Sequence, residues 1–410
     1  MFFKEFTDLL NPISRRIIFG VLLNFVGSGM TLSLLLVYLH DMRGFTNTFG
    51  GLLLAGGAAA GLAVGGPIGA LIDHIGPKIV AMAGLILCTV GVFSFSLVTT
   101  HFHAAIAQVL FSMGSSCIWP AQTVMLARVT PVADRQKIFG FNFMILNLGF
   151  AIGGFIGSII IQEGSLKSFQ IMYWVDAATF LIYLLVILSI KSDLIGKYIA
   201  PQHEPQSGSY RELFKIKEII LLAFSGVVLL TFGYGALQAG IPIFATQYLG
   251  LSPKWLGVIF GVNTISIVVM QPFILRILER VSKYMALVCV GLIWALSWIF
   301  VGVAPYLSLI AAGIALCVSQ LIFALGETIW SPTMPTLANE ISPEHIRGRA
   351  NALIGMQWGV AGVLGPSITG LMLGAHLEGQ WVVVMTLGAL LPIPLFLQLK
   401  KLGRRRIAGA

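Results

Sequence analysis

Residues 69–78, Gly-Ala-Leu-Ile-Asp-His-Ile-Gly-Pro-Lys, form a short polar interruption between two long apolar stretches. A similar interruption recurs 206 residues later, where Glu279 and Arg280 stand in the places of Asp73 and His74. A shift of 212 residues aligns glycines, prolines and basic residues farther along the chain, namely Gly114, Pro120, Pro131, Arg135, Lys137 and Gly153 with Gly326, Pro332, Pro343, Arg347, Arg349 and Gly365. Repeated long apolar stretches predict a chain built from two related halves.

The composition is that of a membrane protein. Hydrophobic residues make up 57% of the 410 residues and charged residues 10%, whereas an average soluble domain has about 25% charged residues. A helix of roughly 20 apolar residues crosses the core of a bilayer, and twelve such stretches occur, near residues 15–40, 47–72, 78–99, 102–127, 137–162, 168–190, 217–247, 253–278, 283–304, 306–337, 346–375 and 379–399. We therefore predict an all-α membrane protein with twelve transmembrane helices in two six-helix halves, related by a pseudo-two-fold axis along the membrane normal.

The basic residues predict the orientation in the membrane. Of 25 Lys and Arg residues, all but Arg43, Lys167 and Lys254 fall in the N-terminal segment, in loops after even-numbered spans or in the C-terminal tail. This bias predicts a multi-pass protein of the cytoplasmic (inner) membrane with both termini cytoplasmic. The net charge of +9 then reflects basic loops that face anionic membrane lipid, and it gives no reason to expect a nucleic-acid partner.

A hydrophilic segment divides the chain. Residues 191–217 contain two prolines, a Ser-Gly-Ser run and five Lys or Arg residues. This composition predicts a cytoplasmic linker between an N-terminal half, residues 1–190, and a C-terminal half, residues 218–410. The first apolar stretch is too long for a signal peptide and has no cleavage site, so we expect it to remain as the first span.

Sequence signals of catalysis are missing. The seven histidines fall in loops or at span ends, the four cysteines fall inside predicted spans, and no HExxH, GxSxG, Walker or dinucleotide-binding run occurs. We therefore expect a transporter rather than an enzyme, with no cofactor, no metal site and no ATP motor. An ion gradient or downhill movement would then drive transport.

The loop at residues 69–78 resembles the signature loop of the Major Facilitator Superfamily, Gly-x-Leu-x-Asp-Arg-x-Gly-Arg-Arg, with His74 and Pro77 replacing two basic residues. The resemblance covers essentially the whole chain. In that family the loop latches the cytoplasmic side, which implies a cytoplasmic gate of Gly69, Asp73, Gly76, Lys78, Arg128 and Arg135. By its chemistry, Asp73 can accept from backbone N–H groups at a helix end or pair with Arg128 or Arg135. The alternative is a turn that only caps span two.

Glycines in span five resemble the antiporter motif of the superfamily's drug:proton branch, Gly-x-x-x-Gly-Pro-x-x-Gly. The matching residues are Gly149, Gly153 and Gly157, while Gly154 stands in place of the proline. Span eleven, the repeat mate of span five, carries Gly365 and Pro366. The resemblance implies export, although glycines at this spacing also fit close helix packing alone.

Glu327 is the candidate for proton coupling, since it is the one acid that we place in the middle of a span. Inserting a charge there costs about 2.5–3.5 kcal/mol, so acids inside a membrane are functional candidates. Burial favours the neutral carboxyl, which can then exchange a proton near neutral pH. The alternative is a permanently neutral acid that is hydrogen-bonded between helices. Asp176, placed in the outer third of span six, is a second candidate, or else a tie between helices.

The surroundings of Glu327 strengthen the resemblance. The run Leu325-Gly326-Glu327, followed by Trp330 and Pro332, resembles span ten of bacterial multidrug transporters of this branch. There the glutamate serves proton coupling and the recognition of cationic substrates. Related transporters often carry an arginine where Leu110 stands and an acid where Asn142 stands, so Glu327 would carry most of the coupling here.

The spans that line the central cavity in this family predict its chemistry. No Lys, Arg or His falls in the middle of a span, which disfavours anionic substrates. The remaining polar and aromatic residues predict a mostly apolar cavity, lined by Asn24, Ser28, Thr31, Met113, Asn142, Tyr234, Gln238, Asn263, Gln320, Phe323, Trp330, Gln357 and Trp358. Such a cavity suits lipophilic, neutral or cationic compounds. Each amide taken alone also fits an interhelical hydrogen bond.

These observations predict a monomeric secondary transporter of the multidrug efflux type. It would export lipophilic, cationic or neutral compounds by alternating access, in exchange for protons, as an antiporter. The alternative is a transporter of one native solute, such as a sugar, a siderophore or a lipid. A membrane receptor or an embedded enzyme is disfavoured, because the chain has neither catalytic motifs nor a sizeable soluble domain.

Overall fold

The computed structural model describes residues 10–35, 38–160, 165–191, 195, 209–252 and 254–408. These residues form helices and turns, and no strand occurs among them. The helices are α1 (Pro12–Thr31), α2 (Asn47–Ile75), α3 (Pro77–Ser96), α4 (His101–Val129), α5 (Arg135–Ile160), α6 (Leu166–Leu188), α7 (Tyr210–Leu213), α8 (Lys217–Leu230), α9 (Ala236–Ile243), α10 (Lys254–Leu278), α11 (Lys283–Val303), α12 (Leu309–Ile341), α13 (Arg347–Gly374), α14 (Glu378–Leu390) and α15 (Ile393–Ala408).

The prediction of an all-α membrane protein is confirmed. Among the described residues, 11 helices are long and apolar enough to cross a membrane. Each of the twelve predicted stretches contains helix, and the one that falls short as a span is α13. This helix begins with Arg347 and Arg349 and carries Asn351 and Gln357, so its first half is more polar than the other long helices.

Helix ends follow the local sequence. The Asn11 side chain accepts from the backbone N–H groups of Ile13 and Ser14, while Pro12 occupies the first position of α1. Gly76 ends α2 with a φ of 96°, a backbone conformation that a side chain disfavours, and Pro77 then starts α3. The signature loop is therefore a glycine C-cap followed at once by a proline N-terminus.

The seventh predicted span is not a continuous α-helix. Helix α8 gives way to a π-helical turn at Thr231–Gly235, α9 follows, and a second π-helical turn forms at Phe244–Tyr248. Insertions of this kind rotate the side chains that follow them and are frequent at functional sites. The first turn contains Tyr234, a predicted cavity residue.

The chain divides into two compact units. The first comprises Met1–Leu213 with Ser342–Gly355, and the second comprises Phe214–Ile341 with Met356–Ala410. The division predicted from the sequence, at a linker of residues 191–217, stays a prediction, because most of residues 191–208 lie outside the described part of the chain. Residues 342–355, the loop before α13 and its first turns, group with the first unit.

Each unit has its own helical core. In the first unit α1 packs against α5 and α6, α3 against α4 and α6, and α2 against α4. In the second unit α11 packs against α12, α14 and α15, and α10 packs against α12. Large side chains fill these contacts, with Tyr38, Phe169 and Tyr183 fully buried in the first unit and Trp294, Trp298 and Trp381 in the second.

Glycines of α5 allow its close approach to α1. A Cβ at Gly149 would lie 2.9 Å from the Leu22 carbonyl oxygen, and a Cβ at Gly153 would collide with the Val26 carbonyl. Dispersion contact drives helix association in a membrane, so small residues at such a seam stabilise the pair. Gly157 faces Met30 farther along the same seam.

Candidate functional site

Glu327 lies in the middle of the 33-residue helix α12 and is 3% exposed. The side-chain amide of Asn263, on α10, donates a hydrogen bond of 2.6 Å to its Oε2 atom. The Tyr234 hydroxyl also hydrogen-bonds this carboxyl group. Both neighbours can donate to the charged form, while burial opposes charge. The surroundings thus support either protonation state, which is what a group that exchanges a proton requires.

Tyr234, the second partner of Glu327, belongs to a cluster of aromatic rings. The Tyr234 ring lies 4.8 Å from the ring of Trp358 and 5.9 Å from that of Phe323, measured between centroids. Phe323 in turn stacks on Trp294, with centroids 4.6 Å apart and an interplanar angle of 6°. Trp330 lies 6.1 Å from Trp294. Tyr234 therefore connects the carboxyl group to an aromatic cluster, and aromatic rings attract organic cations.

A proline inside α12, about one turn after Glu327, removes one of the backbone hydrogen bonds of this helix. Pro332 has no backbone N–H, so the carbonyl of Thr328 has no intrahelical partner. The side-chain amide of Gln271, fully buried on α10, donates to this carbonyl at 3.0 Å. Helix α10 therefore supplies both the Glu327 partner and the group that replaces the missing bond.

The predicted glutamines differ in their surroundings. Gln357 donates to the carbonyl oxygens of Leu222 and Ala223 at 3.2 and 2.8 Å, so it ties α13 to α8. Gln320 is fully buried on α12, and neither of its amide atoms has a hydrogen-bond partner among the described residues. The side chain of Gln238 lies outside the described part of the structure.

Asp176 lies at the middle of the 23-residue helix α6, rather than in its outer third as predicted. The difference arises because the helix begins at Leu166, two residues before the predicted start of the span. The Thr31 hydroxyl donates a hydrogen bond of 2.6 Å to its Oδ2 atom. Among the described residues, each unit therefore has an acid near the middle of a long apolar helix, Asp176 in the first and Glu327 in the second.

Other predicted cavity residues of the first unit form separate groups. Asn24, Ser28 and Thr31 are buried on α1, and the Asn24 amide nitrogen has no hydrogen-bond partner within the described residues. Met113, on α4, is partly buried. Burial alone does not place these residues in a cavity, so the cavity-lining role of all four stays a prediction.

Asn142 belongs to a buried polar chain. The Gln122 amide donates to its Oδ1 atom at 3.2 Å, and the Tyr183 hydroxyl donates to the Gln122 Oε1 atom at 3.1 Å. All three side chains are buried. This chain links α4, α5 and α6, and hydrogen bonds of this kind stabilise packed helices in a membrane.

Asp73 of the signature loop binds the start of α13. Its carboxylate accepts from the backbone N–H groups of Gly348 and Arg349, at 2.6 and 3.1 Å, and from the Arg349 guanidinium at 2.7 Å. The first N–H groups of a helix have no intrahelical partners and carry a partial positive charge. Asp73 is therefore an N-terminal cap supplied by another helix, in addition to an ion-pair partner.

The predicted pairing of Asp73 with Arg128 or Arg135 is wrong. Arg128 pairs with Glu344 at 3.3 Å, and Arg135 donates to the Ala127 carbonyl at 3.0 Å. Arg349 is closer to Asp73 because α13 begins directly against the end of α2. Lys78 binds the C-terminal end of α6, donating to the carbonyl of Leu188 at 3.4 Å and to that of Ile190, just beyond the helix, at 2.5 Å. Gly69 faces Ala352 and Arg349, where a Cβ would lie under 3.0 Å from both.

The short helix α7 also contacts this region. We call the contact of Asp73 with the start of α13 the Asp73 latch. The Tyr210 hydroxyl of α7 donates to the Gly66 carbonyl, and the Arg349 guanidinium lies 5.7 Å from the centre of the Tyr210 ring. Glu212, also on α7, lies 2.7 Å from the Nε2 atom of His345. Helix α7 therefore binds α2 through Tyr210 and the loop before α13 through Glu212.

Several residues of these sites were not predicted from the sequence. Trp294 stacks on Phe323 and donates to its carbonyl at 3.1 Å, yet nothing distinguishes it from other tryptophans in the spans. Gln271 was detectable as an amide inside an apolar stretch. Arg349 was detectable as the repeat mate of Lys137.

Comparison with known proteins gives the family. The model of the Major Facilitator Superfamily matches residues 17–314 and again residues 223–406. The chain belongs to the Major Facilitator Superfamily. The two overlapping matches, one starting in each half, agree with the internal repeat.

Relatives and structures of this superfamily match nearly the whole chain. Quinolone resistance protein NorA of Staphylococcus aureus (strain Mu50) is 23% identical over 400 residues, which cover 95% of this chain and 96% of NorA. The uncharacterized MFS-type transporter YqjV of Bacillus subtilis (strain 168) is 23% identical over 396 residues, covering 93% and 91%. A bacterial homologue of the iron transporter ferroportin, in an outward-facing state, has the same fold with a TM-score of 0.79, at 14% identity over 95% of this chain and 100% of that chain. This member of the superfamily is thus a multi-pass membrane protein and a secondary transporter of small molecules, not an enzyme.

Proposed function

We propose that this transporter exports lipophilic, cationic or neutral compounds across the cytoplasmic membrane, by alternating access coupled to proton influx. The observation that carries the proposal is the Glu327 group of the second unit. A buried carboxyl receives hydrogen bonds from Asn263 and Tyr234 beside a set of stacked aromatic rings.

The chemistry of this group favours cations over anions. When Glu327 is ionised, its charge lies in surroundings of low polarity, where an organic cation gains both charge pairing and contact with aromatic faces. When a proton neutralises the carboxyl, the charge pairing is lost. Proton and cation therefore compete for one group, and competition of this kind is reciprocal.

This competition couples the two movements. A proton taken up from the outer side would release the cation, and loss of that proton to the cytoplasm would restore the binding form. A gradient directed inward would thus drive export, with no nucleotide required. A neutral lipophilic compound would use the same apolar and aromatic contacts without the charge pairing.

The similarity to relatives supports the same direction. NorA, named for quinolone resistance, matches this chain over 96% of its own length. The resemblance of residues 325–332 to span ten of multidrug transporters agrees with it. We infer that the substrates are drug-like compounds and that the protein acts as a monomer with both termini in the cytoplasm.

The Asp73 latch belongs to the same proposal. It joins the end of α2 to the start of α13, two segments from different halves of the sequence. We assign to it, with Gly69, Gly76, Lys78, Arg128 and Arg135, the role of a cytoplasmic gate that opens and closes during the cycle.

A flux assay tests the proposal. The purified chain is reconstituted in proteoliposomes, a pH gradient is imposed, and movement of an ethidium-type dye is followed for the wild type, Glu327→Gln and Thr264→Val. Thr264 neighbours Asn263 but donates to the carbonyl of its own helix, so it serves as a matched control. We expect gradient-driven transport in the wild type and the control, and its loss in Glu327→Gln. Undiminished gradient-driven transport by Glu327→Gln would contradict the assigned role.

A further inference from the structure

The short helix α7 docks on the first unit, although the chain enters the second unit directly after it. Leu213 is fully buried and Tyr210 is partly buried, while Arg211, between them in sequence, is exposed. The Ser209 hydroxyl accepts from a backbone N–H group of this turn at 3.2 Å. A helix of one turn is unstable alone, so its contacts with the first unit hold it in place.

Helix α7 contacts both helices that the Asp73 latch joins. The Tyr210 hydroxyl donates to the Gly66 carbonyl of α2, and it lies 2.8 Å from the position that a Cβ of Gly69 would occupy. The guanidinium carbon of Arg349, which binds Asp73 from α13, lies 5.7 Å from the centre of the Tyr210 ring. Docking of α7 and closure of the latch therefore favour each other, and this coupling is reciprocal.

An imidazole joins α7 to the turn that precedes α13. The Nε2 atom of His345, in the 3₁₀ turn Glu344–Ile346, lies 2.7 Å from the Oε1 atom of Glu212. The His345 side chain is 9% exposed and that of Glu212 is 40% exposed. An ionised carboxylate only accepts, so the imidazole nitrogen is the donor in this contact. The hydrogen bond forms with either charge state of the imidazole, but it is stronger when the imidazole is charged.

Charged and titratable groups of several elements surround His345. They are Glu344 of its own turn, Asp73 of α2, Arg128 of α4, Tyr210 and Glu212 of α7, and Arg347 and Arg349 of α13. The three arginines pair with Asp73 and Glu344. An imidazole changes its charge between about pH 5 and about pH 8. Asp73 is the other group of the latch that can lose its charge, so an experiment has to separate Asp73 from His345.

We propose that α7 is a strap that holds the Asp73 latch closed, and that protonation of His345 strengthens this strap. At low pH the imidazolium and the Glu212 carboxylate form an ion pair, and as the pH rises the contact becomes a hydrogen bond from a neutral imidazole. Acidification on the side of the membrane where α7 lies would then slow the opening of the latch. The inference rests on the gating role proposed for the latch, and it does not depend on Glu327.

Electron paramagnetic resonance of a spin label on α7 tests this inference. The label is attached to Arg211→Cys, because Arg211 is exposed, in a full chain whose four native cysteines are replaced by alanine. The spectrum of this purified parent chain in detergent gives the ratio of mobile to immobile label, which reports the release of α7. We expect the ratio to rise at least about threefold between about pH 6 and about pH 8, as the ion pair is lost. A ratio that does not change with pH would overturn the inference.

Substitutions of the two partners identify the group that titrates. His345→Gln and Glu212→Gln each remove one charge of the pair, keep a hydrogen-bonding side chain and leave Asp73 in place. We expect the ratio of mobile to immobile label to be independent of pH in both variants. His345→Lys keeps a positive charge, so its ratio should stay as low at about pH 8 as at about pH 6. A pH response in either glutamine variant equal to that of the parent chain would assign the response to another group, such as Asp73, and overturn the inference.

Two further variants test the histidine and the strap separately. His74, next to Asp73 in sequence, is exposed, so His74→Gln is the matched control and should respond to pH as the parent chain does. Loss of the response in His74→Gln would assign it to the wrong histidine and overturn the inference. Asp73→Asn weakens the latch and should raise the ratio of mobile to immobile label at least about threefold near pH 6. An unchanged ratio in Asp73→Asn would show that α7 does not depend on the latch, and it would overturn the strap.

The label also separates this inference from the function proposed above. Glu327→Gln should leave the pH response of the label unchanged, because His345 and Glu212 remain in place. Loss of the response in Glu327→Gln would assign the titration to Glu327 and overturn the inference. Dye transport that survives in Glu327→Gln would refute the proposed coupling and leave the strap intact. A label that ignores pH in the parent chain would refute the strap and leave the proposed coupling intact.

Discussion

The side-chain amide of Asn263 donates a hydrogen bond of 2.6 Å to Oε2 of Glu327, although the two residues are 64 positions apart in the chain. The contact exists because α10 packs along α12. It joins a carboxyl that we propose exchanges a proton to a donor that favours the ionised form of that carboxyl. The proton affinity of Glu327 is therefore set in part by a neighbouring helix.

Replacing Asn263 by leucine tests that relationship. An Asn263 amide that donates to Glu327 favours the carboxylate, so its removal favours the protonated carboxyl. In the proposed competition a cation binds to the carboxylate, so as the pH is lowered the variant should lose cation binding at a higher pH than the wild type does. A hydrogen bond to a charged group contributes about 1.5–3 kcal/mol, which corresponds to a shift of at least about one pH unit.

Cation binding by the purified chain is measured between about pH 5 and about pH 9, and the midpoint is the pH at which half of the binding is lost. Thr264→Val is the control and should leave the midpoint unchanged. An unchanged or lower midpoint in Asn263→Leu would show that the amide does not favour the ionised form.

Gln271 and Pro332 should be coupled in stability. Gln271→Leu leaves the Thr328 carbonyl buried without a partner, at a cost of about 1–3 kcal/mol in the free energy of unfolding. Pro332→Ala restores a backbone N–H to that carbonyl. The double variant should therefore be more stable than Gln271→Leu alone, as measured by the midpoint of thermal unfolding in detergent. If the stability losses of the two single variants simply add in the double variant, then Gln271 does not replace the hydrogen bond that Pro332 removes.

The seam between α1 and α5 predicts opposite outcomes for two adjacent glycines. A Cβ at Gly153 would collide with the Val26 backbone, whereas a Cβ at Gly154 would lie 3.9 Å from the nearest atom, the Gly29 carbonyl oxygen. Gly154→Ala should raise the unfolding midpoint, since alanine favours a helix by about 1 kcal/mol over glycine. Gly153→Ala should lower it. A rise of the unfolding midpoint in both variants would show that helix propensity, and not packing against α1, determines the effect of these substitutions on stability.

The latch predicts a separation of binding from transport. Asp73→Asn keeps an acceptor for one backbone N–H group but removes the charge that binds Arg349 and the start of α13. We expect the transport rate to change at least about tenfold, because hydrogen bonds to charged groups contribute about 1.5–3 kcal/mol. Cation binding to the second unit should stay unchanged. Asp134→Asn, in the turn before α5, removes the same charge outside the latch and serves as the control. Parallel losses of binding and transport would contradict a gating role.

Much of the fold follows from the sequence because the membrane imposes a simple rule. A backbone without water must bond to itself, so each long apolar stretch becomes a helix. The rule does not describe interruptions inside a span. The π-helical turn that carries Tyr234 has no signal in the hydropathy pattern, and it determines where the hydroxyl lies.

The candidate sites were predictable in part. Glu327 and Asp73 stand out as single residues, because a charge in an apolar setting is costly. Their partners do not, since Asn263 and Arg349 become neighbours only through helix packing. Asp176 stood out as an acid in a span, but its hydrogen bond from Thr31 depends on side-chain positions that no spacing predicts.

The most direct test of the central claim is proton release upon cation binding. Purified Asp176→Asn, in which Glu327 is the remaining candidate, is mixed with a cationic substrate in weakly buffered detergent near pH 7, and the released protons are measured with a pH indicator. We expect release that is absent when Glu327→Gln is added to the same background. Equal proton release with and without the Glu327 carboxyl would contradict the account. Cation binding without proton release anywhere between about pH 6 and about pH 8, where a buried carboxyl can exchange its proton, would contradict it as well.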